Sequence, residues 1–464
     1  MDEALSEIEP FSATDALDQL DRLLGLTQVI PARAVQQALA DTDRIDSRAC
    51  RLSFEVTTWV LLAMGLLTDL PIRSVYHHAR RLLPTDTIPT RAALCLARQR
   101  LGIPPLRALF RSVARPLTDG DVRGATFGGL RLLGIDSTKL NVPDTPANVA
   151  AFGRPACGGG DGPFPQVHKV SLVELGSRAE LAFLVKPHNR NEAVIAWGLV
   201  RHVGPGVVLL ADREFFGYRL WQAFRGRGCE LLWRGKSHFV LDPIEVLSDD
   251  SYLAKVYARP RDRECDRNGV VVRVIKYTLD DPQRVGHQEE HVLLTSLLDA
   301  EAFPAVELIL GYHQRWEAEL MYDEQKTHHD PVRPGKPTAL RSGTPAGVVQ
   351  ELYALSLGHY VTQALRVAAA EQEDVDPDRI SFTGTLRVLR CRLPECDSRG
   401  GESFARWVTR LLWEIALHRV EPRRNRINPR VLKQPFAKYP KKQPQHRPAP
   451  TIRKSFLESV VMTR

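Results

Sequence analysis

Between residues 1 and about 125 apolar positions recur at helical spacing, and caps and prolines punctuate the run. Phe11-Ser12-Ala13-Thr14-Asp15-Ala16 reads as a capped helix start. Ile30-Pro31-Ala32 and Ile88-Pro89-Thr90 read as further starts, with proline near the first turn. The longest apolar stretch, Val56 to Leu70, carries three threonines and an aspartate. It predicts a buried helix, because a membrane span needs about 20 predominantly apolar residues. Thr118 to Gly129 turns to Gly and Asp and predicts a linker. The period then changes. Leu130–Ile135, Val167–Leu175, Glu180–Lys186 and Val207–Ala211 are of strand length, with Gly176-Ser177 at a hairpin turn. Helices are expected over Asn191–Val203 and Glu214–Arg227.

The order strand, strand, strand, helix, strand, helix predicts an α/β core of ribonuclease-H-like form. Cys229 to about Ser296 is strand-rich and too long for a loop, so it reads as a β-rich insertion. Long helices follow, at Gly311–His329, Pro345–Ala370, Ile380–Arg392 and Glu402–His418. The resulting division is 1–125 (helical), 126–228 (first part of the core), 229–300 (insertion), 301–370 (core completed) and 371–464 (helical and basic). Phe152–Pro165 is Gly-rich but lacks the Lys-Ser/Thr of a phosphate-binding P-loop, and reads as a loop.

Composition narrows the classes. The seven cysteines include no CxxC pair, so neither a zinc site nor a disulfide framework is signalled, and a reducing cytosol fits. The start, MDEALSEIEP, lacks a signal peptide's basic and apolar regions, so a cytoplasmic protein is expected. The net charge of +8 is unevenly placed: Arg419 to Lys454 holds twelve cations against Glu421 alone, which leaves the rest at −3. Such a segment suits a polyanion such as DNA, or stays solvated until it binds one. Arg91, Arg98 and Arg100 are candidate phosphate contacts and equally ordinary surface charges.

The candidate chemistry converges on three acids. Two apolar runs end in aspartates, Asp136 and Asp212. On a helix over 311–329, with Tyr312 set at 0°, Arg315, Glu319 and Lys326 fall at about 300°, 340° and 320°. That wedge carries one carboxylate, two cations and a phenol. Ile309, Trp316 and Leu320, at about 60°, 40° and 80°, are expected to seat the helix in a core. Two aspartates and a glutamate suit a two-metal site for Mg²⁺ or Mn²⁺ that stabilises entering and leaving oxygens at phosphorus. In it Asp136 would bridge the ions, with Asp212 on one and Glu319 on the other. Arg315 and Lys326 would hold phosphates, and Tyr312 would donate to one. Trp316 can pack in a core or stack on a base, with stacking favoured. Glu214 is a rival to Asp212, but its place at a helix start favours a charge role there; His328 and His329 suit a helix C-terminus in the same way. Asp144 reads as a turn residue.

Tyr312-x2-Arg315-x3-Glu319-x6-Lys326 resembles the Y-R-E-K signature of the DDE transposases of the insertion element 4 family. Ile135-Asp136-Ser137-Thr138, with Pro143-Asp144-Thr145-Pro146 and Phe152-Gly153, resembles the surroundings of that family's first aspartate. Ala211-Asp212-Arg213-Glu214-Phe215-Phe216 resembles those of the second, and Arg424–Val431 its basic C-terminal motif. The resemblance runs from about residue 11 to 442. It implies a helical DNA-binding N-terminal domain and a β-rich insertion before the glutamate. It also implies binding to terminal inverted repeats, and cut-and-paste transposition through a hairpin in a paired-end dimer on double-stranded DNA. One departure is Asp323, where some relatives carry a second lysine; Arg234 and Lys236 would then supply part of the phosphate binding. Other readings are a metal-dependent nuclease without strand transfer and a non-catalytic DNA-binding repressor.

Overall fold

The computed structural model describes residues 16–17, 19–47, 50–81, 87–157, 159–236, 239–281, 287–329, 340–396, 403–421 and 454–463. The expected start at Phe11–Ala16 and the basic stretch 422–453 therefore lie almost entirely outside the described residues. In chain order the helices are α1 (Ala32–Ala40), α2 (Phe54–Leu66), α3 (Ile72–His78), α4 (Arg91–Leu101) and α5 (Pro104–Val113). Next come β1 (Leu130–Asn141), α6 (Pro146–Phe152), β2 (Gln166–Glu174), β3 (Glu180–Pro187), α7 (Glu192–Ala196), β4 (Val207–Ala211) and α8 (Tyr218–Arg225). Strands β5 (Glu230–Arg234), β6 (Glu245–Val246), β7 (Tyr252–Val256), β8 (Val270–Leu279) and β9 (His291–Thr295) follow. The last elements are α9 (Ala305–His313), α10 (Trp316–Asp323), α11 (Pro345–Gln372), α12 (Phe382–Arg392), α13 (Phe404–Ala416) and β10 (Val460–Met462).

The chain forms two compact units, and the division falls inside β1, after Gly134. The first unit comprises residues 1–125, 135–199 and 316–419. Its core centres on α2 and α11. All of Val56–Leu66 is buried, as the apolar run predicts, and Ser53 caps α2 by accepting from the Val56 amide. The two helices approach at Gly65, where a Cβ would sit 1.9 Å from the Ala354 carbonyl oxygen. Thr90 caps α4 in the same way. Arg98 on α4 is not a surface cation: it is largely buried and donates to Gln350, Ser342 and the Gly347 carbonyl. The Gly-rich segment after α6 contains a two-residue hairpin, Ala156–Cys157 with Gly160–Asp161. In this unit β3, β2 and the 135–141 part of β1 are sheet neighbours, and β2 and β3 are antiparallel.

The second unit comprises residues 126–134, 200–315 and 420–464. There the 130–134 part of β1 is followed in the sheet by β4, β5, β9, β8, β7 and β6. Strands β4 and β5 are parallel, in register Leu209↔Leu231 and Leu210↔Leu232. The strand order 3-2-1-4-5 is ribonuclease-H-like, and the fold is α/β. Strand β5, grouped by pattern with the insertion, is thus the fifth core strand, and β9 pairs antiparallel onto it so that the insertion extends the same sheet. Trp233 is fully buried against Trp221 and Phe224, which fixes α8 on β5. The helix expected over Glu214–Arg227 is split into a 3₁₀ turn, Arg213–Phe215, and α8.

Candidate functional site

In the first unit Asp136 sits in mid-strand on β1, half-buried. Two side chains of the following helical segment flank it. Tyr322 Oη donates to the Asp136 carbonyl at 2.9 Å, and Lys326 Nζ donates to Thr138 Oγ1 at 2.9 Å. Burial, reinforced by Asp136 and Glu180, holds the Tyr322 phenol well above its usual range, so it stays a protonated donor. Glu319, half-buried, precedes both of these residues on the same segment, three positions before Tyr322. Ser137, the neighbour of Asp136 on the strand, donates to Glu192 at the start of α7.

The single helix that the spacing predicts over 311–329 is not what forms. Helix α9 ends at His313, and the Arg315 amide bonds back to Tyr312 as a tight turn. Helix α10 restarts at Trp316, and residues 324–329 widen into a π-helix. The four signature residues therefore stand on three helical pieces and their junction, and one angular register does not describe them. The buried stripe moves as a result. Ile309 is buried as expected, but Trp316 is 45% and Leu320 38% exposed, and Ala318, Met321 and Tyr322 seat α10 in their place. The Trp316 indole is thus not part of the buried core under α10. His329 is fully buried, and burial with His359 and Arg390 nearby pushes its pKa well below the usual value, so it is not a C-terminal cation. His328 remains exposed.

The inner face of this segment carries charge that the pattern did not reveal. Arg178 is 1% exposed and spreads its guanidinium over three acids. Nε donates to Glu317 at 2.6 Å, Nη1 to Glu324 at 2.8 Å and Nη2 to Asp378 at 3.2 Å. His359 and Gln363 on α11 contact the second oxygen of Glu324 at 3.0 and 2.6 Å. Lys169 on β2 is fully buried between Glu180, Gln325 and Ser356. The only sequence signal was Glu317 and Glu324 standing seven apart, about two turns of an α-helix and so on one face of it.

In the second unit Asp212 follows β4 directly and is half-buried. Its carboxylate accepts from the Arg213 amide at 2.6 Å and caps the 3₁₀ turn. Glu214, the rival ligand, is 56% exposed and faces Arg213 at 3.6 Å, which fits a surface charge at the turn. Tyr312 Oη donates to the Ala211 carbonyl at 3.3 Å, one residue before Asp212. Burial pushes the Tyr312 phenol up; Arg315 opposes the rise, Asp212 adds to it and Arg234 opposes it. Tyr312, Arg315, Arg234 and Asp212 thus share one electrostatic neighbourhood. Arg315 is 8% exposed at the α9–α10 junction. Arg234, closing β5, lies 3.3 Å from His291 Nδ1, and Lys236 is half-buried two residues on.

Asp136, Asp212 and Glu319 offer only carboxylate oxygens in partly exposed positions, a donor chemistry that fits a hard divalent cation. Among the described residues no three His, Cys, Asp or Glu side chains are already gathered as ligands.

Comparison with known proteins matches residues 20–111 to the insertion element 4 transposase N-terminal family and residues 128–333 to the transposase DDE domain. Transposase InsG for insertion sequence element IS4 from Escherichia coli K12 is 28% identical over 432 residues, covering 90% of this chain and 93% of InsG. The chain belongs to the insertion element 4 family of DDE transposases. This transposase also matches the putative transposase InsZ of the same organism, at 25% identity over 44% of this chain and 68% of InsZ. A cryo-EM structure of the piggyBac transposase synaptic complex with hairpin DNA aligns at a TM-score of 0.45 and 11% identity, covering 81% of this chain and 80% of that one. The protein is a DNA transposase, an enzyme that cleaves and transfers DNA strands. Among the described residues no helix is long and apolar enough to cross a membrane.

Proposed function

We propose that this transposase binds the terminal inverted repeats of a DNA insertion element and moves it by cut-and-paste, with Asp136, Asp212 and Glu319 as its catalytic carboxylates. The observation that carries this reading is the seating of the Glu319 segment on β1, through Tyr322 at Asp136 and Lys326 at Thr138. Bound to these carboxylates, two Mg²⁺ ions, or Mn²⁺ in their place, would polarise the scissile phosphate and favour an oxygen nucleophile at neutral pH. The chain's own cations do the positioning. Arg315, Lys326, Arg234 and Lys236 hold backbone phosphates, and Tyr312 orients one of them. Exposed Trp316 offers a π-face to an unstacked base. Residues 1–125 and the basic segment after Arg419 add DNA contacts, and two protomers pair the element's ends. A cytoplasmic location follows from this role.

The test is incubation of the purified protein with Mg²⁺ and linear DNA carrying the element's own ends, beside the Asp136→Ala protein. Joined products that require Asp136 are expected. Cleaved ends without joining point to a nuclease, and binding without cleavage in Mg²⁺ or Mn²⁺ points to a repressor. Deleting the residues after Arg419 is expected to flatten the salt dependence of DNA binding, because fewer counterions are released. An unchanged slope would remove that segment from the interface.

A further inference from the structure

The ten residues from Glu317 to Lys326 are fastened on both sides of Glu319. Inside the unit, Arg178 grips Glu317 and Glu324 with one guanidinium at 2.6 and 2.8 Å. Gln325 is tied to Lys169 at 3.1 Å and to Glu180 at 3.2 Å. On the strand side, Tyr322 and Lys326 reach Asp136 and Thr138, both at 2.9 Å. Arg178 is itself committed. It occupies a left-handed backbone conformation, φ 63°, in the β2–β3 turn, and its side chain is buried. A non-glycine residue holds that conformation at a cost of about 1–3 kcal/mol, tolerated where the surroundings over-determine it. The guanidinium fork is rigid and planar, so two carboxylates on one helix fix that helix's rotation as well as its depth. A π-helical segment at 324–329 adds a reason for such a clamp, because its side chains leave the α-helical register.

We propose that Arg178 is a positioning residue of this transposase: by clamping Glu317 and Glu324 it sets the rotation of the α10–π segment and so aims Glu319 and Lys326 at β1. The inference rests on the reading of Glu319 as a catalytic carboxylate. It adds that this carboxylate is placed from behind, by a buried ion cluster that touches neither DNA nor metal. Arg178 and Arg366 face Glu317, Glu324 and Asp378 in that cluster, so it carries one carboxylate in excess of its guanidinium groups. Removing the Glu317 charge balances the cluster, which makes Glu317 the position where the clamp can be loosened without stranding an unpaired arginine.

Three variants test it: Glu317→Met, Glu317→Gln and Glu319→Gln. Cleavage of end DNA is followed per folded molecule, and Mn²⁺ affinity is measured separately by electron paramagnetic resonance. Glu317→Met is expected to lower the cleavage rate constant about 10–100-fold, to raise the KM for DNA by a smaller factor because Lys326 is aimed by the same clamp, and to weaken Mn²⁺ binding; substitutions behind metal ligands act in this range. Glu317→Gln, whose amide oxygen still accepts from Arg178 Nε, is expected to restore most of both. An inactive Glu319→Gln beside a Glu317→Met protein with normal rate and normal Mn²⁺ affinity overturns this inference alone. A Glu319→Gln protein that cleaves normally overturns the catalytic reading, and this inference with it.

Discussion

The segments that present Glu319 and Asp212 solve the same problem in opposite ways. Glu319 rides on a helix whose inner face is bolted to a fully buried ion cluster, with Arg178, Lys169 and Glu180 all at 1% exposure or less. Asp212 stands at the end of an apolar strand and is held by its own turn, through the Arg213 amide, beside an Arg213–Glu214 pair more than half exposed. The first acid depends on residues far away in sequence; the second depends on the next residue. Helices need such help because their rotation about the axis is free until side chains fix it. The end of a hydrogen-bonded strand already has a defined direction.

The comparison breaks most visibly at the acids themselves. Glu319→Gln and Asp212→Asn are each expected to reduce end cleavage by well over 100-fold, beyond the effect of substitutions behind a metal ligand, while DNA binding measured by gel shift is retained. Loss of binding with loss of cleavage would make either residue structural. Next in size is stability. Arg178→Met strands three buried carboxylates and is expected to cost about 3–5 kcal/mol in urea unfolding. Arg213→Ala, at an exposed pair, should stay within about 0.5 kcal/mol. Equal losses would erase the contrast drawn above.

A smaller effect concerns acid. Burial acts to raise the Glu324 carboxyl, but Arg178, His359 and Arg366 outweigh it and hold the group far below its ordinary 4.5. A carboxyl depressed by folding contributes stability that is full above its unfolded pKa and fades as pH falls toward its folded one. The stability gap between the wild type and Glu324→Gln is therefore expected to be flat from pH 7 to about 5 and to shrink below 4.5. A gap that persists undiminished at the lowest folded pH would mean that packing, not charge, holds Glu324.

Much of this arrangement is legible in the sequence where burial is apolar. Val56–Leu66 and Val207–Ala211 are continuous apolar runs, and each forms the buried element its pattern predicts. The spacing of Tyr312, Arg315, Glu319 and Lys326 pointed to the right family. The helix break after His313 was not legible, because Gln314 and Arg315 at the junction are good helix formers, and Gly311 two residues earlier is itself helical. The buried charges escaped for a related reason. Periodicity assigns charged positions to solvent, whereas Arg178, Lys169, Glu317 and Glu324 satisfy one another across elements far apart in the chain. Strand β5 was placed with the insertion because its length and composition match the strands that follow; only its parallel pairing with β4 separates it.

The pairing of β10 with β8 has a consequence for the making of the protein. Tyr277, Thr278 and Leu279 bond with Met462, Val461 and Val460, partners that lie about 180 residues later in the chain. At typical synthesis rates of about 5–20 residues per second, that end of β8 waits roughly 10–40 s for them to emerge from the ribosome. During that interval its backbone groups are an open edge, available to the same stretch of another nascent chain. Crowded translation of this transposase on one messenger therefore carries a risk of chain-to-chain pairing that slower, sparser translation avoids.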